Sequence, residues 1–248
     1  MSKKAVALSV AGLLLAWEVA SLAARSSLLP GPLEVLTTFV GSLTAGLGWH
    51  SLVSLWRILA SMALATAIGV PLGLALGQSK RWDRFAAPLV YITYPVPKIV
   101  FLPVILLFLG IGDLSKIFLI TLILVFQVLV VVRDASRNVR PELVSSVRSL
   151  GADGGQLLLH VYFPACLPAT LTALRLSIGT AIAVLFFVES FATRSGLGFF
   201  VMDSWQTLDY REMYAAVVAM ALIGIGVYVL LDRAESRFCR WARAGGAG

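Results

Sequence analysis

Six apolar runs, near residues 5–24, 52–77, 86–110, 115–133, 168–189 and 213–231, constrain this chain more than any other feature. A helix of about 20 apolar residues crosses the hydrocarbon core of a bilayer. In lipid every backbone polar group must be satisfied internally, which leaves helices or closed barrels. The runs are continuous rather than alternating, which argues against a β-barrel. Only 13% of the 248 residues are charged and 59% are hydrophobic. A soluble domain carries about 25% charged residues, and the mean hydropathy here is +0.90. The expected fold is an all-α polytopic membrane protein, with six transmembrane helices in a single domain over residues 1–248.

The first run, "MSKKAVALSVAGLLLAW", has the basic start and apolar core of a signal peptide. Glu18 after that core, and the need to balance the spans, favour a retained first helix. Six spans place both termini on one side. Lys3, Lys4, Lys80, Arg81, Arg84, Arg133, Arg137, Arg140, Arg148, Arg233, Arg237, Arg240 and Arg243 share that side, whereas Arg25, Lys116, Arg194 and Arg211 fall on the other. Cytoplasmic loops carry the excess of Lys and Arg, so both termini are expected in the cytoplasm of a cell (inner) membrane protein. The net charge of +7 is thereby read as topology rather than as affinity for nucleic acid.

Within the spans, Ala65, Gly69, Gly73 and Gly77 recur every fourth residue and form a small-residue face. Such a face suits close helix packing, either inside the chain or between subunits. Pro71 can kink that helix. The third run contains "YPVPKIVFLP", and Pro95, Pro97 and Pro103 withhold three backbone donors, so a straight helix is not expected. Lys98 beside this break either snorkels to the interface or faces a polar pathway. Glu189, with Ser190 after it, ends the fifth run on the outer side, as a solvated helix end or as a pathway residue. Between the last two runs, Phe199, Phe200, Trp205 and Tyr210 suit an interfacial or re-entrant helix.

Catalytic signatures are lacking. The sequence has no P-loop, no H-E-x-x-H and no G-x-S-x-G, and Cys166 and Cys239 have no metal-ligand spacing. His50 and His160 are expected on opposite faces. No catalytic or metal residue and no cofactor is therefore expected in this chain. A self-sufficient secondary transporter or channel would need buried ionisable residues, and only Glu189, Lys98 and Arg57 are available.

The most informative polar stretch is "ELVSSVRSLGADGGQLLLHVYFP", Glu142 to Pro164. Pro141 fits a first helical position and Glu142 complements the helix dipole. Leu143, Val147 and Leu150 form one apolar stripe, and Gly151 supplies a left-handed stop. Asp153 with Gln156 reads as a capping box for a second helix, which runs into Pro164, with Pro168 at the entry to span five. The hairpin rests on headgroups or docks a protein.

This stretch resembles the cytoplasmic coupling motif of binding-protein-dependent ABC importer permeases, E-A-A-x3-G-x9-I-x-L-P. Ser145, Ser146 and Val147 stand for E-A-A, followed by Gly151, Val161, Phe163 and Pro164; the acid and both alanines are replaced. "LLPGPLEVL", "YPVPKIVFLPVILLFLGIGDLSKIF" and "SGLGFFVMDSW" resemble the nitrate, sulfonate, taurine and bicarbonate branch. The resemblance implies a type I ABC importer permease fold with a cytoplasmic coupling helix in segment 141–164, in which Leu150 and Ala152 join the matched residues in contacting the ATPase. It implies two ATP-binding subunits carrying ATP and Mg, a second permease subunit (a homodimer), and an external substrate-binding protein. The substrate implied is a small anion such as sulfonate, nitrate, taurine or bicarbonate. Lys98, Glu189 and Ser190 are the candidate translocation residues.

Overall fold

A computed structural model describes residues 3–241; Arg243, counted above for topology, lies outside them. Among the described residues every regular element is helical, and turns join them. Five of these helices are long and apolar enough to cross a membrane, or six if one bent pair counts as a span. The chain forms two compact units. One comprises residues up to Leu55 together with Phe186–Ile223, and the other comprises Trp56–Leu185 with the residues from Gly224 onward.

The first unit begins with α1 (Lys3–Ala24) and α2 (Pro32–Ser42). The turn between them is tied back to α1, because Trp17 Nε1 donates to the Pro30 carbonyl at 3.1 Å and Ser21 Oγ to that of Leu29 at 2.8 Å. Pro32 opens α2 and Glu34 lies in its first turn, both suited to a helix N-terminus. A π turn at Leu43–Leu47, with Gly46 at φ +133°, leads to α3 (Gly48–Gln78). The unit also contains the end of α9 (Phe163–Glu189), all of α10 (Leu197–Gln206) and the start of α11 (Tyr210–Phe238).

The second unit is organised on α6 (Asp113–Arg137), whose Ile120, Leu124, Val128 and Val132 have no exposed surface. The small-residue face of α3 lies against this row. A Cβ on Gly69 would stand 3.0 Å from Val128, and one on Gly73 would stand 2.8 Å from Val132 and 2.9 Å from the Leu129 carbonyl. The small residues thus serve packing within the chain, where they let two helix backbones approach closely. Pro71 is accommodated inside a helix that continues to Gln78.

The third apolar run differs from a simple span. It comprises α4 (Lys80–Thr93), a 3₁₀ turn (Lys98–Phe101) and α5 (Leu102–Leu109), with a bend of 78°. Pro95 and Pro97 fall in the bend, whereas Pro103 sits in the first turn of α5, where a missing N–H costs nothing. After α6 come α7 (Pro141–Ser149) and the short α8 (Gly154–Leu157). The second hairpin helix does not stop at Pro164. It passes through a π turn (Leu158–Tyr162) straight into α9, which absorbs Pro168 in its interior. A π turn shifts the backbone pairing by one residue. Here Phe163 N bonds Leu158 O, and the Gln156 carbonyl is met by His160 Nδ1 at 3.0 Å.

Candidate functional site

The hairpin is built as its residues require. Leu150 N donates to Val147 O and Gly151 N to Arg148 O, which closes α7, and Gly151 holds φ +86°. Nothing lies within 4 Å of a Cβ placed there, so the glycine serves conformation alone. Asp153 accepts from Gln156 N at 2.7 Å while Gln156 Oε1 accepts from Asp153 N at 3.0 Å, a complete capping box. This reciprocal pair satisfies two helix-end donors and fixes the corner.

The candidate coupling residues divide by exposure. Leu150 is 86% exposed, Phe163 41% and Leu143 43%. Ser145, Ser146 and Gly151 are also exposed, while Val147, Ala152 and Pro164 are half-buried. Val161 is buried and anchors the second arm of the hairpin from inside. Ser146 Oγ donates to its own helix at the Glu142 carbonyl, 2.7 Å away. Beside the hairpin lies an apolar cavity of about 560 Å³, lined by Val70, Pro71, Leu74, Leu158, Leu159 and Phe163 among others.

Ionic contacts hold the helices that enter and leave this hairpin. Asp83 of α4 accepts from Arg133 Nε and from Arg137 on α6, the latter at 3.0 Å. Arg175 of α9 pairs with Asp232 at 2.9 Å and Glu235 at 3.0 Å on α11. Few solvated pairs are worth more than about 1 kcal/mol. Asp83 and Arg133 are largely buried, at 14% and 6% side-chain exposure, so losing either weakens the compensation of the other, leaving only Arg137 at 3.0 Å from Asp83 or Asp134 at 3.6 Å from Arg133.

Lys98 does not extend toward water. Its Nζ folds back to donate to the Thr93 carbonyl at 2.9 Å and the Tyr94 carbonyl at 3.4 Å, and lies 4.3 Å from the centroid of the Phe126 ring. In a regular helix the Thr93 carbonyl would be served by residue 97, but Pro97 has no N–H. That carbonyl instead takes the Val96 N–H at 3.3 Å in a tight turn, with the lysine ammonium as its second donor. It lines a cavity of about 340 Å³ in the bend.

Glu189 is not a solvated helix end: it has no exposed surface. Ser54 Oγ lies 2.8 Å from Oε2 and 3.0 Å from Oε1, and Gly198 N donates to Oε2 at 3.0 Å. Ser54 in turn accepts from Leu197 N at 2.7 Å, and His50 Nδ1 accepts from Gly196 N at 3.0 Å. The carboxylate and the residues before α3's midpoint therefore hold the start of α10. Neighbouring Ser190 is satisfied locally, its Oγ donating to the Phe186 carbonyl at 2.7 Å. Nothing local in the sequence marks Ser54 or His50 for this site: Ser54 lies inside an apolar run, and His50, just before that run, suggests only a metal ligand, for which His160, expected on the opposite face, is no companion. Lys116, read there as an outer-loop charge, is fully buried and donates to the carbonyls of Ile111 and Gly112 at 2.6 and 3.1 Å. Among the described residues, no group of three or more His, Cys, Asp or Glu could hold a metal ion.

A family model described as the binding-protein-dependent transport system inner membrane component matches residues 69–243. The chain belongs to this family. The permease is 32% identical over 232 residues to the taurine transport system permease protein TauC of Escherichia coli (strain K12), with 91% of this chain and 84% of that one covered. It is 28% identical over 217 residues to the putative aliphatic sulfonates transport permease protein SsuC of Bacillus subtilis (strain 168), covering 87% and 79%. To the bicarbonate transport system permease protein CmpB of Synechococcus elongatus it is 27% identical over 246 residues, covering 94% and 86%. Its fold is similar to a chain in inward facing conformations of the MetNI methionine ABC transporter, with a TM-score of 0.64 at 20% identity, covering 79% of the permease and 95% of that chain. The protein is thus a permease component of a binding-protein-dependent ABC importer, with several helices in the inner membrane.

Proposed function

We infer that this permease works as one of two copies in an importer driven by two separate ATP-binding subunits, which carry ATP and Mg, and fed by an external binding protein. Both termini face the cytoplasm, and the hairpin at 141–164 is the surface on which an ATP-binding subunit docks. The substrate is a small anion of the sulfonate, taurine, nitrate or bicarbonate kind, with Lys98, Glu189 and Ser190 acting along its pathway. The observation that carries this reading is the hairpin itself, with α7 closed at Gly151, α8 held by its capping box, and Leu150 exposed.

The mechanical logic follows from connectivity. Three residues separate the end of α6 from α7, and α8 continues through a π turn into α9. A push on the hairpin is therefore delivered to two long helices at once. Stiffness is required, because a loop without caps would absorb the displacement. Alternating access is then a two-state equilibrium that ATP and the loaded binding protein bias.

The test is reconstitution. The purified chain should show no ATP hydrolysis of its own, since it has no phosphate-cradling loop. Adding the ATP-binding subunit and loaded binding protein should give hydrolysis coupled to anion uptake. Ion-gradient-driven uptake by this chain alone would refute the reading.

A further inference from the structure

Two cavities in the second unit share a wall. The cavity at the bend, about 340 Å³, is lined by Tyr94, Val96, Lys98, Ile123, Phe126 and Gln127 among others. The other, about 210 Å³, is also lined by Tyr94 and Gln127, then by Val130, Val131 and Ser177. Along α6 the first cavity draws on residues 123–127 and the second on 127–131, so the pair is stacked toward the end of α6 that leads to the hairpin. Tyr94 and Gln127 form the partition.

The first cavity has an unbalanced charge. Lys98 is its only cation and none of its lining residues is acidic. Among the described residues Lys98 makes no ion pair; its ammonium meets two neutral carbonyls and a ring face. The third N–H has no protein acceptor among the described residues. Gln127 adds a second polar group. Its Nε2 reaches Thr180 Oγ1 at 3.5 Å, while its buried Oε1 has no partner. Side-chain amide ends are interchangeable by rotation, so one end of this amide is free for either a donor or an acceptor. Buried polar atoms normally find a partner.

We propose that the cavity at the bend is a binding station for a small oxyanion in transit, its charge held by Lys98 and its remaining polar atoms by Gln127, with Tyr94 and Gln127 gating passage to the second cavity. The proposal rests on the importer reading for the word transit, but not for the anion selectivity of the cavity. Lys98 thereby has two tasks: it ties the Thr93 and Tyr94 carbonyls together at the bend, and those contacts fix its charge at the mouth of the cavity. A lysine merely reaching for water would do neither. Low-dielectric walls around a single cation focus its field on the cavity, which raises the local concentration of small anions.

Charged thiol reagents test this on the full chain alone in lipid nanodiscs, without any partner. The background is Cys166→Ala with Cys239→Ala, and the reporter is Ile123→Cys. Its rates are compared for sulfonatoethyl and trimethylammonioethyl methanethiosulfonate, each normalised to a free thiol in solution. The anionic reagent should be favoured about tenfold or more, the lower end of field-focused rate gains. Lys98→Gln should bring the ratio to about one, Lys98→Arg should keep most of the preference, and Gln127→Glu should lower it severalfold with Lys98 intact, as a like-charged neighbour requires. A ratio unmoved by both Lys98→Gln and Gln127→Glu overturns the station, as does a reporter thiol inert to both reagents. Failure of partner-dependent uptake in the reconstituted complex would instead reject the importer reading and leave these ratios standing.

Discussion

Gly198 donates its backbone N–H to Oε2 of Glu189 at 3.0 Å, and only a glycine fits there. A Cβ on Gly198 would stand 2.6 Å from the Glu189 Cβ and 2.7 Å from the Phe186 carbonyl. The glycine pair of "SGLGFF" is explained by this approach: Gly196, at φ +108°, and Gly198 both make room for one buried carboxylate.

Gly198→Ala should therefore destabilise the protein by about 2 kcal/mol, in the range of overpacked sites. Glu189→Ala should cost about 1–3 kcal/mol for each donor left without an acceptor. Gly226→Ala is the control, because nothing lies within 4 Å of its Cβ inside α11, and alanine there should be neutral or slightly stabilising. Thermal melts in one detergent compare the three; equal melting temperatures would show that the carboxylate does not organise α10.

Much of the hairpin and of the bend could be read from local chemistry. Gly151, Asp153 with Gln156, and Pro95 with Pro97 act on the backbone within four residues of themselves, so their consequences are written next to them. What escaped depends on how the fold surrounds a charge. Glu189 and Lys116 stand at the edges of apolar runs, where solvation is the usual outcome for a charge. Glu189 is met by groups that come to it through the fold, such as Ser54, 135 residues away in sequence, whereas Lys116 is buried while its ammonium turns back to the carbonyls of Ile111 and Gly112. Pro164 and Pro168 misled in the opposite sense. Each normally marks a boundary, but a first-turn position and a preceding π turn let one helix carry both.

The contact between α3 and α6 predicts a graded series. Gly73→Ala should cost about 1–3 kcal/mol, since its Cβ meets Val132 and the Leu129 carbonyl inside 3 Å. Gly73→Leu should prevent native packing. Gly179→Ala meets nothing within 4 Å and should match the parent protein in thermal stability. Equal tolerance at positions 73 and 179 would show that the two helices are not in close contact.

Cys239 is a poor reporter of topology for a physical reason. It is 1% exposed, and burial, with a smaller effect from the Glu235 charge, pushes its thiol above the ordinary range. The thiolate is the reactive form. Raising the pKa lowers its fraction at neutral pH, so maleimide labelling of Cys239 should be slow at pH 7. It should still be rising at pH values where an ordinary thiol, of pKa about 8.5, has levelled off. Exposed positions serve better: Ser149→Cys should react only once the inner face is opened, and Arg194→Cys from the outside. The reverse pattern would contradict the orientation drawn from the basic residues.

Gly151 offers the sharpest separation of shape from surface. With φ at +86° and open space around a Cβ, a substitution there meets backbone strain but no steric neighbour. A β-branched residue in that region is a genuine outlier, so Gly151→Val should force the corner to another conformation and redirect α8. Leu150→Asp leaves the backbone alone and puts a charge on a side chain that is 86% exposed. Neither should unfold the spans, and melting temperatures should stay within a few degrees of the parent. Both should reduce partner-stimulated ATP hydrolysis coupled to uptake by about tenfold, which corresponds to about 1.4 kcal/mol of lost interaction. They should differ in rescue. A compensating basic residue on the partner surface can restore Leu150→Asp, because the hairpin still has its shape, but no surface change restores Gly151→Val. Wild-type coupling in the valine variant would mean that the corner does not transmit the motion.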